Sequence, residues 1–281
     1  MRKSLLLYGF LFCYTILLGQ NKNFQTWSLQ SSLKTEQNSS ENEQSIHYLN
    51  DWQEVLEDRT LTSAVFKNSK GDVRAEYANR PIHYYQNGTL ARINPQLKES
   101  SSGFIADQQP FPTYLYTDGS FSMSIGNESK LKLGQTAVFN DEHATIDFEV
   151  QNNIAYFENY FNGIDKQIVF SENKVKYAYR INAPIYSEEI NTVISESIEF
   201  PSGYGLKPQK NQSTVRDGLV YGSIILIDPN GAQVGLIRPL LCFDDQKNYI
   251  LGGYKIHQQD NRLTLELNVP NSWLNDSETA N

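Results

Sequence analysis

The residues of this 281-residue chain that could do chemistry are four histidines, two cysteines and 32 carboxylates. His47, His83, His143 and His257 stand far apart, and none forms a close ligand pair with another His or a Cys. Zinc sites gather several such ligands at characteristic spacings, so no metal is expected. Cys242 lies in the apolar run Leu240-Leu241-Cys242-Phe243 and reads as a small buried hydrophobe. Asp228-Pro229-Asn230-Gly231 resembles the start of a calcium loop but lacks the later oxygen ligands and bidentate Glu. A turn accounts for each of its residues, with Pro at the second position and Gly at the left-handed one. No Gly-x-Ser-x-Gly elbow and no glycine-rich phosphate loop occurs, so neither a nucleophile nor a cofactor is indicated.

Carboxylate pairs point to glycoside hydrolysis, which needs two acids about 5–10 Å apart, one with a raised pKa. Asp244-Asp245, Glu188-Glu189, Asp165 and Glu158 are the formal candidates. Adjacent residues on a strand face opposite ways, and both adjacent pairs fall where turns are expected. Aromatic platforms for sugar are a stronger alternative: Tyr84, Tyr85, Tyr114, Tyr116, Tyr177, Tyr179 and Trp273 are available. Tyr177 and Tyr179 share parity with Val175 and Ile181, which assigns them to the core. Tyr85 falls opposite the expected core face, and with His83 and Arg92 it forms the candidate ligand-binding set.

The element that positions this set is a hairpin. In Ile82-His83-Tyr84-Tyr85-Gln86-Asn87-Gly88-Thr89-Leu90-Ala91-Arg92-Ile93, Asn-Gly at the tip favours a type I′ turn. That turn sets Gln86 opposite Thr89, Tyr85 opposite Leu90, Tyr84 opposite Ala91 and His83 opposite Arg92. Ile82, Tyr84, Ala91 and Ile93 then share an apolar face, with His83 and Arg92 on the other.

The rest of the chain continues in this manner. Asn68-Ser69-Lys70-Gly71 joins two strand-like runs, and Tyr48 to Leu56 fits either a short helix or a strand entry. Phe121 to Ile125 alternates as a half-buried strand. An internal boundary is expected within 126–134. Beyond it, turns at Asn152-Asn153, Asn162-Gly163 and Ser171-Glu172-Asn173 divide a meander. Gly203 to Thr214 reads as an exposed loop. Leu219 to Ile227 is apolar without alternation, as a central strand covered on both faces would be. Leu263, Leu265, Leu267 and Val269 close the pattern. The expected fold is all-β, a mostly antiparallel β-sandwich region over 46–275.

Arg2-Lys3, the apolar run Ser4 to Leu18 and Gly19-Gln20 have the layout of a secretory signal peptide over 1–20. The run is shorter than the ~20 residues a spanning helix needs, so no transmembrane segment is expected after cleavage. The polar stretch 21–45 reads as a disordered linker. A net charge of −8 speaks against a nucleic-acid partner and against docking on an anionic membrane. The molecule is therefore expected to be secreted or at the cell surface.

Arg59-Thr60, Phe66, Gly71, Tyr77, Pro81-Ile82-His83-Tyr84, Asn87-Gly88 and Ile93-Asn94-Pro95-Gln96-Leu97 carry a resemblance, as do Gly163-Ile164-Asp165, Ile198-Glu199-Phe200-Pro201 and Val269-Pro270-Asn271-Ser272-Trp273-Leu274. Over Arg59 to Leu274 the chain resembles an N-terminal, β-rich region of large exported cell-surface or secreted multidomain proteins, wall-associated or RHS-like, of Bacteroidota and other bacteria. Where that family often shows Trp and Ile-Asp after the hairpin turn, Leu90 and Ile93-Asn94 stand here. The resemblance implies further β-rich modules and a sorting domain downstream, with 276–281 a truncated tail. Partners would be those modules and surface glycans. It assigns no catalytic residue. The sequence thus points to a non-catalytic structural or adhesive surface module, with a carbohydrate-binding module as the alternative and a glycosidase third.

Overall fold

In the computed structural model of the chain, residues 5–13, 51–125, 129–139, 142–143, 147–171, 174–182, 191–244, 248–259 and 262–275 are described. They form 24 strands, a 3-10 turn at Leu56–Asp58 and one short helix, α1 (Asn271–Leu274). The fold is all-β, and every strand pairing described is antiparallel. Two compact units divide the chain, one of residues 1–15 with 94–281 and one of residues 16–93. The division lies between Ile93 and Asn94 rather than within 126–134. That stretch instead carries part of β11, zipped to its neighbour from Phe121↔Leu133 to Ile125↔Ser129.

The first strand, β1 (Leu5–Cys13), belongs to the larger unit. In the smaller unit, β2 (Trp52–Glu54), β3 (Ser63–Asn68) and β4 (Val73–Tyr77) form a three-stranded sheet. The 52–56 segment is therefore a strand entry followed by a 3-10 turn, not a longer helix. β5 (His83–Gln86) and β6 (Thr89–Arg92) form the hairpin. Its register runs from His83↔Arg92 to Gln86↔Thr89, and Asn87 and Gly88 have φ of 52° and 82°, as a type I′ turn requires.

The larger unit contains the main core. Short strands β7 (Lys98–Ser100), β8 (Gly103–Ala106), β9 (Thr113–Tyr116) and β10 (Phe121–Ile125) lead into β11 (Ser129–Phe139) and β12 (Glu142–His143). A meander follows: β13 (Glu149–Gln151), β14 (Ile154–Phe161), β15 (Ile164–Ser171) and β16 (Lys174–Ile181). Then come β17 (Asn191–Glu199), β18 (Gly205–Arg216), β19 (Leu219–Ile227), β20 (Gln233–Ile237), β21 (Leu241–Phe243), β22 (Tyr249–Leu251), β23 (Gly253–Gln259) and β24 (Arg262–Pro270).

Parity dictates what each strand buries. Val175, Tyr177, Tyr179 and Ile181 of β16 all face the core, as do Ile194 and Ile198 of β17 and Leu263, Leu265, Leu267 and Val269 of β24. Each fully buried Leu, Ile or Phe contributes about 1.5–3 kcal/mol relative to exposure. β19 is central, pairing with β18, β20 and β23, and both of its faces carry buried residues, among them Val220, Ser223, Ile224 and Leu226.

The 203–214 stretch is not a loop. It is most of β18, a twelve-residue strand paired with β19 alone among the described strands, with largely exposed side chains. An edge strand tolerates Pro208 and polar residues on both faces, which is why its composition reads as a loop.

The backbone of Leu5–Cys13 runs antiparallel to β16 from Leu5↔Ile181 to Phe12↔Lys174. Its other edge meets β21 from Leu6↔Phe243 to Tyr8↔Leu241, and β20 from Leu11↔Ile237 to Cys13↔Gly235. The expected linker 21–45 lies outside the described residues, as do Glu188-Glu189, Asp245 and His47.

Candidate functional site

Tyr85, His83 and Arg92 fall on one hairpin but do not converge. Tyr85 is exposed, opposite Leu90. Arg92 turns to Glu76 of β4, contacting both carboxylate oxygens at 2.8–2.9 Å. His83 is fully buried: its Nδ1 donates to the Thr60 carbonyl at 2.7 Å, and its Nε2 lies 3.1 Å from Glu54 Oε1. Arg59 completes this hub, donating to both Glu54 oxygens at 2.7 and 2.9 Å and to the Leu90 carbonyl at 2.6 Å. The Arg59 hydrogen bonds, with His83 adding to them, hold the Glu54 carboxyl below its ordinary range. This arrangement ties β2, β5 and β6 together, so His83 is a structural residue rather than one presented to solvent.

In the larger unit Lys166 and Asp165 are held by their neighbours, whereas burial, with Lys174 beside it, lowers the Lys176 ammonium to about 8. Lys166 of β15 and Glu196 of β17 meet in the core, Nζ to Oε1 at 2.7 Å, with Tyr160 OH 3.3 Å from the ammonium. The rings of Tyr160, Tyr177 and Tyr179 surround that ammonium at 4.5–5.8 Å. Burial works against the charged lysine, but the Glu196 carboxylate outweighs it and raises the Lys166 pKa.

Asp165 accepts from Tyr156 OH, the Asn159 N–H and Asn182 Nδ2 at 2.8–2.9 Å. Burial pushes its carboxyl up, yet these donors prevail and keep it low, the reverse of what a general acid needs. Tyr156, Asp165, Lys166, Gln167, Ala178 and Arg180 line a cleft here. Glu158 is exposed on β14. Asp228 accepts from the N–H groups of Asn230 and Ala232, which fixes the turn expected there. Asp244 likewise accepts from Asn248. Cys242 is buried, and burial pushes its thiol up to about 12. Among the described residues, no group of three or more His, Cys, Asp or Glu is placed to hold a metal ion.

The arrangement that faces outward is on β9, β10 and β11. Leu115, Met123 and Leu131 point to the core, so Tyr114, Tyr116, Ser122, Ser124, Lys130 and Lys132 share the opposite face. The Tyr114 and Tyr116 ring centres stand 6.4 Å apart with their planes 16° from parallel, a stacked pair. Lys130 Nζ lies 4.4 Å from the Tyr114 ring centre, and Lys132 Nζ 4.8 Å from that of Tyr116. These lysines reach the rings because the intervening strand offers only serines: Ser122 pairs with both Tyr114 and Lys132, and Ser124 with Lys130. Ser122 Oγ and Tyr116 OH are hydrogen-bonded at 2.9 Å. Asp118 sits 3.6 Å from Lys132 and is itself engaged by Ser120. Two near-parallel, half-buried rings, each with an ammonium group over it, form an aromatic and cationic patch on a chain of net negative charge.

Tyr114 and Tyr116 are among the tyrosines open to a sugar role from sequence; the two lysines are not. Their signal lies in the alternations Tyr114-Leu115-Tyr116, Ser122-Met123-Ser124 and Lys130-Leu131-Lys132, each with an apolar centre, which align only once the strand order is known.

The chain matches no family model, no curated protein and no solved structure at a significant level. Its class rests on its own architecture, an antiparallel all-β protein of two units. Among the described residues, no helix is long and apolar enough to cross a membrane.

Proposed function

We propose that this chain is a non-catalytic, exported β-sandwich module of a larger surface protein, and that it adheres by binding acidic polysaccharide. The observation that carries this reading is the paired Tyr114–Tyr116 surface with Lys130 and Lys132 above it. Aromatic faces pack against the C–H face of a pyranose ring, and the ammonium groups supply the partner for a uronate or sulfate. The net charge of −8 repels polyanions at long range, but screening at about 8 Å in physiological salt leaves the local charges in control, Lys130 and a Lys132 partly offset by Asp118 at 3.6 Å.

A glycan array probed with the exported protein tests this. Binding confined to acidic glycans, weakened by salt and reduced about tenfold or more by Tyr114→Ala or Lys130→Gln, supports it. Equal binding to neutral glycans, or binding unaffected by both substitutions, refutes it.

The absence of chemistry is supported by where the perturbed groups go. Lys166 is held by Glu196, Asp165 by three donors, and Cys242 by the core. Groups poised for catalysis are shifted toward reactivity at an accessible site; Lys166 and Asp165 are instead shifted toward stable pairing and Cys242 away from its thiolate, while Lys176, the exception, is lowered by burial and Lys174. A reducing-end assay on polysaccharides should show no turnover, and turnover abolished by Asp165→Asn would establish a glycosidase instead.

A further inference from the structure

The backbone of Leu5–Cys13 holds a place in the sheet that export, as read above, would empty. β1 pairs along eight residues of β16 on one edge and with β20 and β21 on the other. The meander β13–β16 is zipped internally, and β18–β24 have their own pairings. Among the described strand pairings, β1 alone joins the meander to β20 and β21. Yet residues 1–20 have the layout of a segment removed during export.

Removal of β1 leaves two facing edges. β16 keeps β15 on its other side, β20 keeps β19 and β21 keeps β22. The bared edge of β16 is long and regular, and its core-facing residues are Val175, Tyr177, Tyr179 and Ile181. A regular edge of this kind, apolar on its core face and carrying Lys174, Lys176 and Arg180 on the other, templates strand addition unless something covers it. Strand addition from another chain is an established mode of recognition, with main-chain hydrogen bonds giving affinity and alternate side chains giving specificity.

We propose that in the exported protein the slot between β16 and β20–β21 accepts an extended apolar segment donated by a partner chain. The backbone pairing carries this, because the segment paired there, Leu-Leu-Leu-Tyr-Gly-Phe-Leu-Phe over 5–12, runs extended along β16 and is apolar in sequence. The register sets the requirement: eight residues antiparallel to Lys174–Ile181, with a small residue opposite Tyr177, where Gly9 stands. The slot thus provides an attachment point to other surface proteins, separate from the tyrosine-lysine face.

The experiment uses the secreted protein and a synthetic peptide of the Leu5–Cys13 sequence, carrying Cys13→Ser and a lysine tail for solubility. Intact mass first reports the N-terminus. Amide hydrogen exchange then follows β16, with β15 as the internal reference. The inference predicts a new N-terminus near Gln20 or Asn21 and β16 amides exchanging about tenfold or more faster than those of β15. Added peptide should slow β16 to match β15. A peptide carrying Tyr8→Pro and Phe10→Pro, which lacks two N–H donors, should give no protection.

Several results would overturn the inference. Protection of β16 in a cleaved, peptide-free monomer means that the sheet closes on itself, which removes the slot while the export reading stands. Protection acquired by self-association assigns the slot to a second copy rather than a partner. Protection by the proline peptide equal to that by the parent peptide excludes strand pairing. An intact Met1 removes the export reading and the open slot together.

Discussion

The two units of this protein solve the same packing problem with different materials. In the smaller unit the strands are three to six residues long, and Ala64 and Tyr84 are the buried hydrophobic residues among those described. Its centre is a hub of Glu54, Arg59 and His83. In the larger unit the strands reach twelve residues, and the core is a network of rings and aliphatic chains with the Lys166–Glu196 ion pair set inside it. Short strands bury too little apolar surface to hold a hairpin against a sheet, so directional polar contacts do that work. Long strands can enclose a charge completely and surround it with aromatic faces.

The surfaces differ in the same way. The smaller unit leaves Tyr77 and Tyr85 exposed as single rings, whereas the larger one aligns Tyr114 and Tyr116 as a pair. Alternation along one strand puts Tyr114 and Tyr116 on the same face of β9, and the regular register of β9, β10 and β11 sets Lys130 and Lys132 over them.

The contrast can be broken at its strongest point first. Lys166→Ala leaves Glu196 buried without its cation and should cost about 3–5 kcal/mol in urea unfolding. The double variant Lys166→Met, Glu196→Leu removes both charges and should return stability to the parent value or above it. If the double variant is as unstable as the single one, the ion pair is required for the core rather than tolerated in it. Ile224→Ala, at a site fully buried on central β19, should cost about 2–5 kcal/mol, while the half-buried Ile225 beside it should cost less. Equal losses at both positions would show that β19 is not packed as described.

Glu54→Gln should destabilise the smaller unit by about 1–3 kcal/mol, read from hydrogen exchange of β3 and β4 amides. The folded-state pKa of Glu54 lies below the ordinary value of 4.5, so its contribution is complete above that pH and is lost as pH falls through the lower folded value. The parent protein should therefore lose protection in β3 and β4 on acidification below the carboxylate range, and Glu54→Gln should flatten that dependence. An unchanged acid limb would show that the hub does not hold the unit. The smallest effect is expected at Gly88, where a Cβ would meet nothing within 4 Å. Gly88→Ala should cost only the roughly 1–2 kcal/mol of its left-handed backbone conformation.

Period-two patterning made the fold class and much of the register readable, because local turns such as Asn87-Gly88 and Asn162-Gly163 fix which residues stand opposite one another. What escaped sequence reading depends on contacts between distant segments. Gly205–Arg216 looks like a loop until its edge position is known. Lys166 follows the parity of Ile164, Ile168 and Phe170, and Glu196 that of Ile194 and Ile198. Each looks like an isolated polar intrusion into an apolar face, and only the fold shows that they neutralise each other. His83 became a site candidate because hairpin parity placed it away from the apolar face, while the second cover over that face came from Glu54 and Arg59, more than twenty residues upstream. The tyrosine-lysine surface was half visible, its rings available in the sequence and its cations recognisable only across the ladder.

The difference between the two aromatic surfaces is tested most directly by NMR titration of the protein with a short oligouronide. The account predicts saturable shifts at Tyr114, Tyr116, Ser122, Ser124, Lys130 and Lys132, none in the hairpin around Tyr85, and loss of the response in Lys130→Gln, Lys132→Gln protein. Shifts centred on Tyr85, or a spectrum that oligouronide leaves unchanged at saturating concentration, would contradict it.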